Sequence, residues 1–106
     1  MKIIVDEWAD QKIQYTALYI QSMFGVKARM EFQQDFHRII KLLRDNPNLG
    51  PVESALEEAP TTYRSIVVNR LNKIIYWINN GVIEIVDFGD TRMEPESLAR
   101  QLCNRK

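Results

Sequence analysis

Between Tyr63 and Phe88 the chain alternates short runs of β-branched and aromatic residues with polar turn residues. The runs are residues 63–68 (Tyr-Arg-Ser-Ile-Val-Val), 73–79 (Lys-Ile-Ile-Tyr-Trp-Ile-Asn) and 82–88 (Val-Ile-Glu-Ile-Val-Asp-Phe). Such a pattern predicts three strands of an antiparallel meander. Asn80-Gly81 takes the two positive φ angles of a type I′ turn at low cost, which predicts a tight hairpin between the second and third runs. In the middle run Ile74, Tyr76 and Ile78 fall on one face, and Lys73, Ile75, Trp77 and Asn79 on the other. Both faces are substantially apolar, so both need cover.

Earlier in the chain the period changes. Lys2 to Val5 is a short β-branched run, predicted to join one side of the sheet, and Asp6 opens a helical region. Ile13, Ala17, Ile20 and Phe24 recur at helical spacing, and Tyr15, Leu18, Tyr19 and Met23 are expected to widen that face. Gly25 stands where a left-handed C-cap wants a glycine. Ala28, Phe32, Phe36, Ile39, Ile40 and Leu43 mark a second helix over residues 26–44, and the short break predicts an antiparallel helical hairpin. Asn46-Pro47-Asn48-Leu49-Gly50-Pro51 stops it, because proline lacks the amide donor. Residues 52–60 allow one helical turn, closed by Pro60. After Arg92, Pro95 suits the first turn of a short helix on which Leu98, Ala99 and Leu102 share a face. The expected fold is α+β: an N-terminal strand, an antiparallel helical hairpin packed on a small antiparallel β-sheet, and a short C-terminal helix, in a single domain over residues 1–106.

Composition narrows the function classes. A chain of 106 residues with 45% apolar and 26% charged residues is an ordinary soluble globule. No apolar run approaches the roughly 20 residues of a membrane span, and Met1-Lys2-Ile3-Ile4-Val5 is too brief for the apolar core of a signal peptide. A cytoplasmic protein is expected. Cys103 has no partner cysteine, in keeping with a reducing compartment. It and His37 together do not supply a zinc set, so neither metal nor cofactor is expected. The formal net charge of zero lacks the basic excess of a phosphate-gripping protein. A local basic face is still expected from Arg64, Arg70, Lys73 and Arg92, with the acids Glu53, Glu57 and Glu58 gathered elsewhere.

No glycine-rich phosphate loop, nucleophile elbow or helix-borne metal pair is present. What remains is a set of cations and phenols around the predicted sheet: Tyr63, Arg64, Lys73, Tyr76 and Arg92. Such groups bind phosphate and stabilise charge in a cleavage transition state. Trp77 reads as a boundary tryptophan or as an anchor for a partner.

The order of elements, with Tyr19-Ile20, Phe24-Gly25, Ala28, Leu43, Asn46-Pro47, Leu49-Gly50, Tyr63-Arg64-Ser65, Lys73-Ile74-Ile75-Tyr76, Ile83-Glu84-Ile85 and Asp90-Thr91-Arg92 before Pro95, resembles the RelE/ParE superfamily of toxins from bacterial toxin–antitoxin operons. The resemblance covers nearly the whole chain, and the helical hairpin with its Asn-Pro and Leu-Gly exit is more similar to the ParE and plasmid-stabilisation branch. It implies one of two targets. RelE-type members are ribosome-dependent ribonucleases (mRNA interferases), whereas ParE-type members share the fold and poison DNA gyrase. Both kinds are neutralised by an antitoxin laid along the toxin as an extended or helical segment.

For the ribonuclease pattern, Arg64, Lys73 and Arg92 match basic positions and would be catalytic. Ile66 stands where a second lysine is expected, and Leu98 where the late tyrosine would be. Those departures remove much of the acid/base equipment. The resemblance therefore implies a gyrase inhibitor before a ribonuclease, and a binding protein before an enzyme. Tyr63, Arg64 and Arg92 are then the candidate target-binding residues, and Ile75, Trp77 or the helical hairpin the candidate antitoxin surface. A third reading keeps the domain as an inactive module for antitoxin binding or operon regulation.

Overall fold

Strand β1 (Lys2–Val5) passes directly into helix α1 (Glu7–Phe24) because Asp6 ends one and starts the other. Its carboxylate accepts a hydrogen bond from the Trp8 amide at 3.2 Å, a side-chain N-cap. Its own amide donates to the Ile85 carbonyl at 2.9 Å, one step beyond the β1 ladder. The computed structural model describes residues 1–53, 56, 59–69 and 71–91. The expected C-terminal helix, Cys103, Arg92, Arg70, Glu57 and Glu58 lie outside the described residues.

Gly25 is the whole connection between α1 and helix α2 (Val26–Asp45). With φ 99° and ψ 172° it is not the left-handed helical cap predicted, but lies in a region that is essentially open only to glycine. One residue thus does two jobs: its amide donates to the Gln21 carbonyl at 2.9 Å, and its carbonyl accepts from the Arg29 amide at 3.2 Å. At the far end of α2 the Asn46 amide and side chain both donate to the Leu42 carbonyl, satisfying an exposed helix end.

Strands β2 (Arg64–Val67), β3 (Asn72–Asn79) and β4 (Val82–Asp90) form the meander, and the sheet order is β1-β4-β3-β2. The sheet is mixed rather than wholly antiparallel, since β1 pairs parallel with β4. Two reversals within the meander leave β4 running with β2, and β1 runs in that same direction. Asn80 and Gly81 have φ of 51° and 78°, as a type I′ turn requires, between the paired Asn79 and Val82. β4 continues past its predicted end to Asp90, which pairs with Asn72. Between the pairs Ile75–Asp87 and Tyr76–Ile85 the register shifts, leaving Val86 unopposed as a β-bulge.

The hairpin covers one face of the sheet. Ala9, Ile13 and Ala17 of α1 and Phe32 and Leu43 of α2 pack on Ile74, Tyr76, Ile83, Ile85 and Phe88. Phe88 meets Phe32 and Phe36 edge to face, with ring centroids 6.0 and 6.3 Å apart. The apolar face of α1 is narrower than predicted. Phe24 is 71% exposed, and Tyr15, Leu18, Tyr19 and Met23 also face solvent. At 3.6 residues per turn, Tyr15 and Leu18 lie across the helix from Ala9, Ile13 and Ala17, whose small and medium side chains bring α1 close to the sheet.

Candidate functional site

The segment leaving α2 is where two of the predicted residues, Arg64 and Tyr76, meet, and its path depends on Gly50. A Cβ there would fall on the Ser65 carbonyl oxygen and 2.7 Å from Ile66 Cγ1, so only glycine lets this backbone lie against β2. Tyr76 reaches the same segment from β3. Its hydroxyl donates to the Pro47 carbonyl at 2.8 Å and accepts from the Gly50 amide at 3.0 Å. Burial pushes the phenol above its ordinary pKa of 10.0, an effect that the Gly50 amide and the Arg64 guanidinium partly oppose. Arg64, opposite Tyr76 in the ladder, donates through Nη1 to the Gly50 carbonyl at 2.8 Å.

The chain then turns along the free edge of β2. Ser65 donates its amide to the Pro51 carbonyl, Glu53 donates its amide to the Tyr63 carbonyl, and Val52 bridges Arg64. This closes an otherwise open sheet edge. It also carries Leu56 and Ala59 onto the outer face, where Tyr63, Ile75, Val86 and Trp77 form a second, smaller core. Tyr63 and Trp77 lie with ring centroids 6.4 Å apart. Lys73 projects into the same layer and pairs with Glu53 at 3.1 Å, the two side chains being only 13% and 8% exposed.

The five grouped residues therefore separate. Arg64 and Tyr76 meet at residues 47–50 on the helix side, while Tyr63 and Lys73 lie on the outer face, and Arg92 is outside the described residues. Glu53 is not part of a distant acidic cluster, as expected from sequence; it is the partner of Lys73, brought there by the edge pairing of residues 51–53. Of the two candidate antitoxin contacts, Ile75 is 1% exposed beneath Leu56 and Tyr63, whereas Trp77 is half-buried at the rim of that cluster. Contact with Ile75 would require the covering segment to move. His37 is exposed on α2.

A second ion pair was not anticipated. Asp87, fully buried in β4, accepts from Lys12 Nζ of α1 and from the Phe88 amide, both at 2.8 Å. An acid inside an apolar strand run was its one visible signal. A groove of about 930 Å³ lies between the exposed side of the hairpin and the β2–β3 turn, lined among others by Tyr15, Tyr19, Phe24, Ala28, Leu71 and Asp90. Among the described residues no helix is long and apolar enough to cross a membrane.

No protein-family model and no curated protein matches the sequence. Solved structures do. A chain of the chromosomal ParDE TA system from P. aeruginosa superposes with a TM-score of 0.69 at 16% identity, over 85% of this chain and 95% of that one. The YoeB dimer from Staphylococcus aureus gives 0.58 at 16% identity, over 88% and 98%. With two helices on a four-stranded mixed sheet in this order, the chain has the RelE/ParE-like fold.

Proposed function

We propose that this chain is the toxin of a toxin–antitoxin pair, and that it acts by binding DNA gyrase rather than by cutting messenger RNA. The fold shared with a ParDE system supports the first half. One observation carries the second: among the described residues, the groups a ribonuclease would present to its substrate are committed within the fold. Tyr76 is fully buried and holds Pro47 and Gly50, Lys73 is paired with Glu53, and Arg64 is tied to the Gly50 carbonyl. Phosphate binding by Lys73 would break a largely buried ion pair, and proton transfer by Tyr76 would need a phenol whose deprotonation burial already opposes. In this reading Arg64 orients the β2 edge and Arg92 serves target binding, while Tyr63, buried in the outer cluster, joins it only if the residues covering that cluster move.

The antitoxin supplies the cover that the hairpin lacks. Tyr15, Tyr19 and Phe24 beside the 930 Å³ groove, together with the Trp77 rim, are the surfaces for its segment. Exposed apolar side chains grouped in this way are typical of a partner site. The test is to incubate the chain with gyrase, ATP and supercoiled plasmid and to look for linear DNA after protease treatment. Gyrase-dependent linear DNA is the expected result. Intact, normally supercoiled plasmid together with cleavage of a programmed messenger on ribosomes would replace this reading with the ribonuclease one. Toxicity that is lost in Arg92→Ala while antitoxin binding persists would exclude an inactive module.

A further inference from the structure

Charge is spread unevenly over the surface of this chain, although its formal net charge is zero. Lys27, Arg38, Lys41 and Arg44 are exposed on α2. The apolar groove between the hairpin and the β2–β3 turn carries the opposite sign. Tyr15, Tyr19 and Phe24 give it aromatic surface, and its charged lining residues, Glu31, Asp35 and Asp90, are all acids. Among the described residues neither lysine nor arginine lines it. Glu31 is exposed and makes no ion pair with another described residue, and Asp35 is held by Arg38 at 3.3 Å in a pair open to solvent.

The Trp77 rim repeats this combination on the other side of the sheet. Trp77 lies opposite Glu84 across the β3–β4 ladder, and Ile4 lies opposite Glu84 from β1. Residues so paired share a face, so an indole, a carboxylate and an isoleucine that is 45% exposed stand in one row. Aromatic surface next to carboxylates suits one kind of side chain. A guanidinium or ammonium group is attracted to the face of an aromatic ring as well as to a carboxylate, and its alkyl stem covers apolar surface. An acidic side chain brought to either place meets like charge.

We propose that the antitoxin segment seated in this groove is basic, with an arginine or lysine beside the apolar residues that enter it. The proposal rests on the toxin reading above and adds the charge by which the partner is chosen. Exposed ion pairs contribute little affinity, so the apolar contacts hold the segment. The acids act mainly by rejection: an acidic segment of the same shape is excluded by repulsion at Glu31, Asp35 and Asp90.

The probe is a displayed library of random peptides about 15 residues long, roughly four helical turns. It is selected on the full chain and, in parallel, on the full chain with Glu31→Lys and Asp35→Lys, whose thermal unfolding is compared with the unmodified chain. Expected are peptides that carry arginine or lysine beside aromatic residues or leucine and bind the double variant about tenfold more weakly. Their binding to the unmodified chain is expected to weaken severalfold as salt rises from about 50 to about 500 mM. Selected peptides without a basic residue, peptides that bind the double variant equally well, or a library that enriches nothing overturn the proposal. The gyrase assay separates this failure from failure of the toxin reading. Linear DNA formed by the chain, with no charge preference among the peptides, removes the basic segment and keeps the toxin. A basic preference at the groove with plasmid and programmed messenger both untouched removes the toxin reading, and the antitoxin as occupant with it.

Discussion

The two faces of the β-sheet are made of similar residue types but are held in different ways. On the helix side, Ile74, Tyr76, Ile83, Ile85 and Phe88 lie under two long helices in one continuous core. On the outer side, Ile75, Tyr63, Val86 and Trp77 lie with Leu56 and Ala59, beside the Lys73–Glu53 pair. The first face depends on area removed from water; the second depends on a few contacts made by a strap whose backbone is fastened to the β2 edge. The difference locates where the molecule is able to give way. A partner that rearranges this protein would displace the strap long before it separated the hairpin from the sheet.

The largest effect is expected for Phe88→Ala. Its ring is fully buried between two phenylalanines, so denaturant unfolding should show a loss of about 4 kcal/mol. Trp77→Ala, on the outer rim, should cost about half as much; an equal loss would mean that the two faces are equally essential. Next is Lys73→Met, which leaves the Glu53 carboxylate largely buried without its cation and should cost about 3 kcal/mol. The double variant Lys73→Met with Glu53→Gln should recover much of that loss, and failure to recover would show that Lys73 is held by something other than charge. Tyr76→Phe removes the hydroxyl that joins Pro47 to Gly50 and should cost about 2 kcal/mol.

Alkaline stability follows from the same phenol. Because its pKa is raised in the fold, the folded state keeps a proton that the unfolded state releases near pH 10.0. The associated stability is fully present below that pH and is lost as pH rises through the folded value. Unfolding free energies measured across pH 9–11.5 should therefore fall, and Tyr76→Phe should flatten the decline. The smallest effect concerns the outward side of α1: Leu18→Lys should change the stability by no more than about 0.5 kcal/mol. A larger loss would mean that this side is already covered within one chain.

The elements themselves were legible because local chemistry dictates them. Asn80-Gly81, with a strand run on either side, specifies its hairpin with no help from elsewhere, and Asp6 and Gly25 mark the helix limits by their own conformational preferences. Ile74 and Tyr76 on one face and Ile75 and Trp77 on the other followed from the period of a strand alone. The site was less legible. Strand period alone puts Lys73 and Tyr76 on opposite faces, but that Tyr76 and Arg64 bind residues 47–50 and that Lys73 pairs with Glu53 depends on how the segment after α2 runs along β2.

The sequence by itself determined the order and kind of the described elements, the hairpin turn and the alternation of strand faces, because each rests on contacts within a few residues. The pairing of Lys73 with Glu53 and of Lys12 with Asp87, the anchoring of Tyr76 on residues 47–50, and the exposure of Tyr15, Leu18 and Phe24 were set by the assembled fold. Separations of 20, 75 and 29 residues divide the bonded partners, so no local pattern records them. Which side of an apolar helix stays open depends on how much of it the sheet can reach, and that is known only once both are in place.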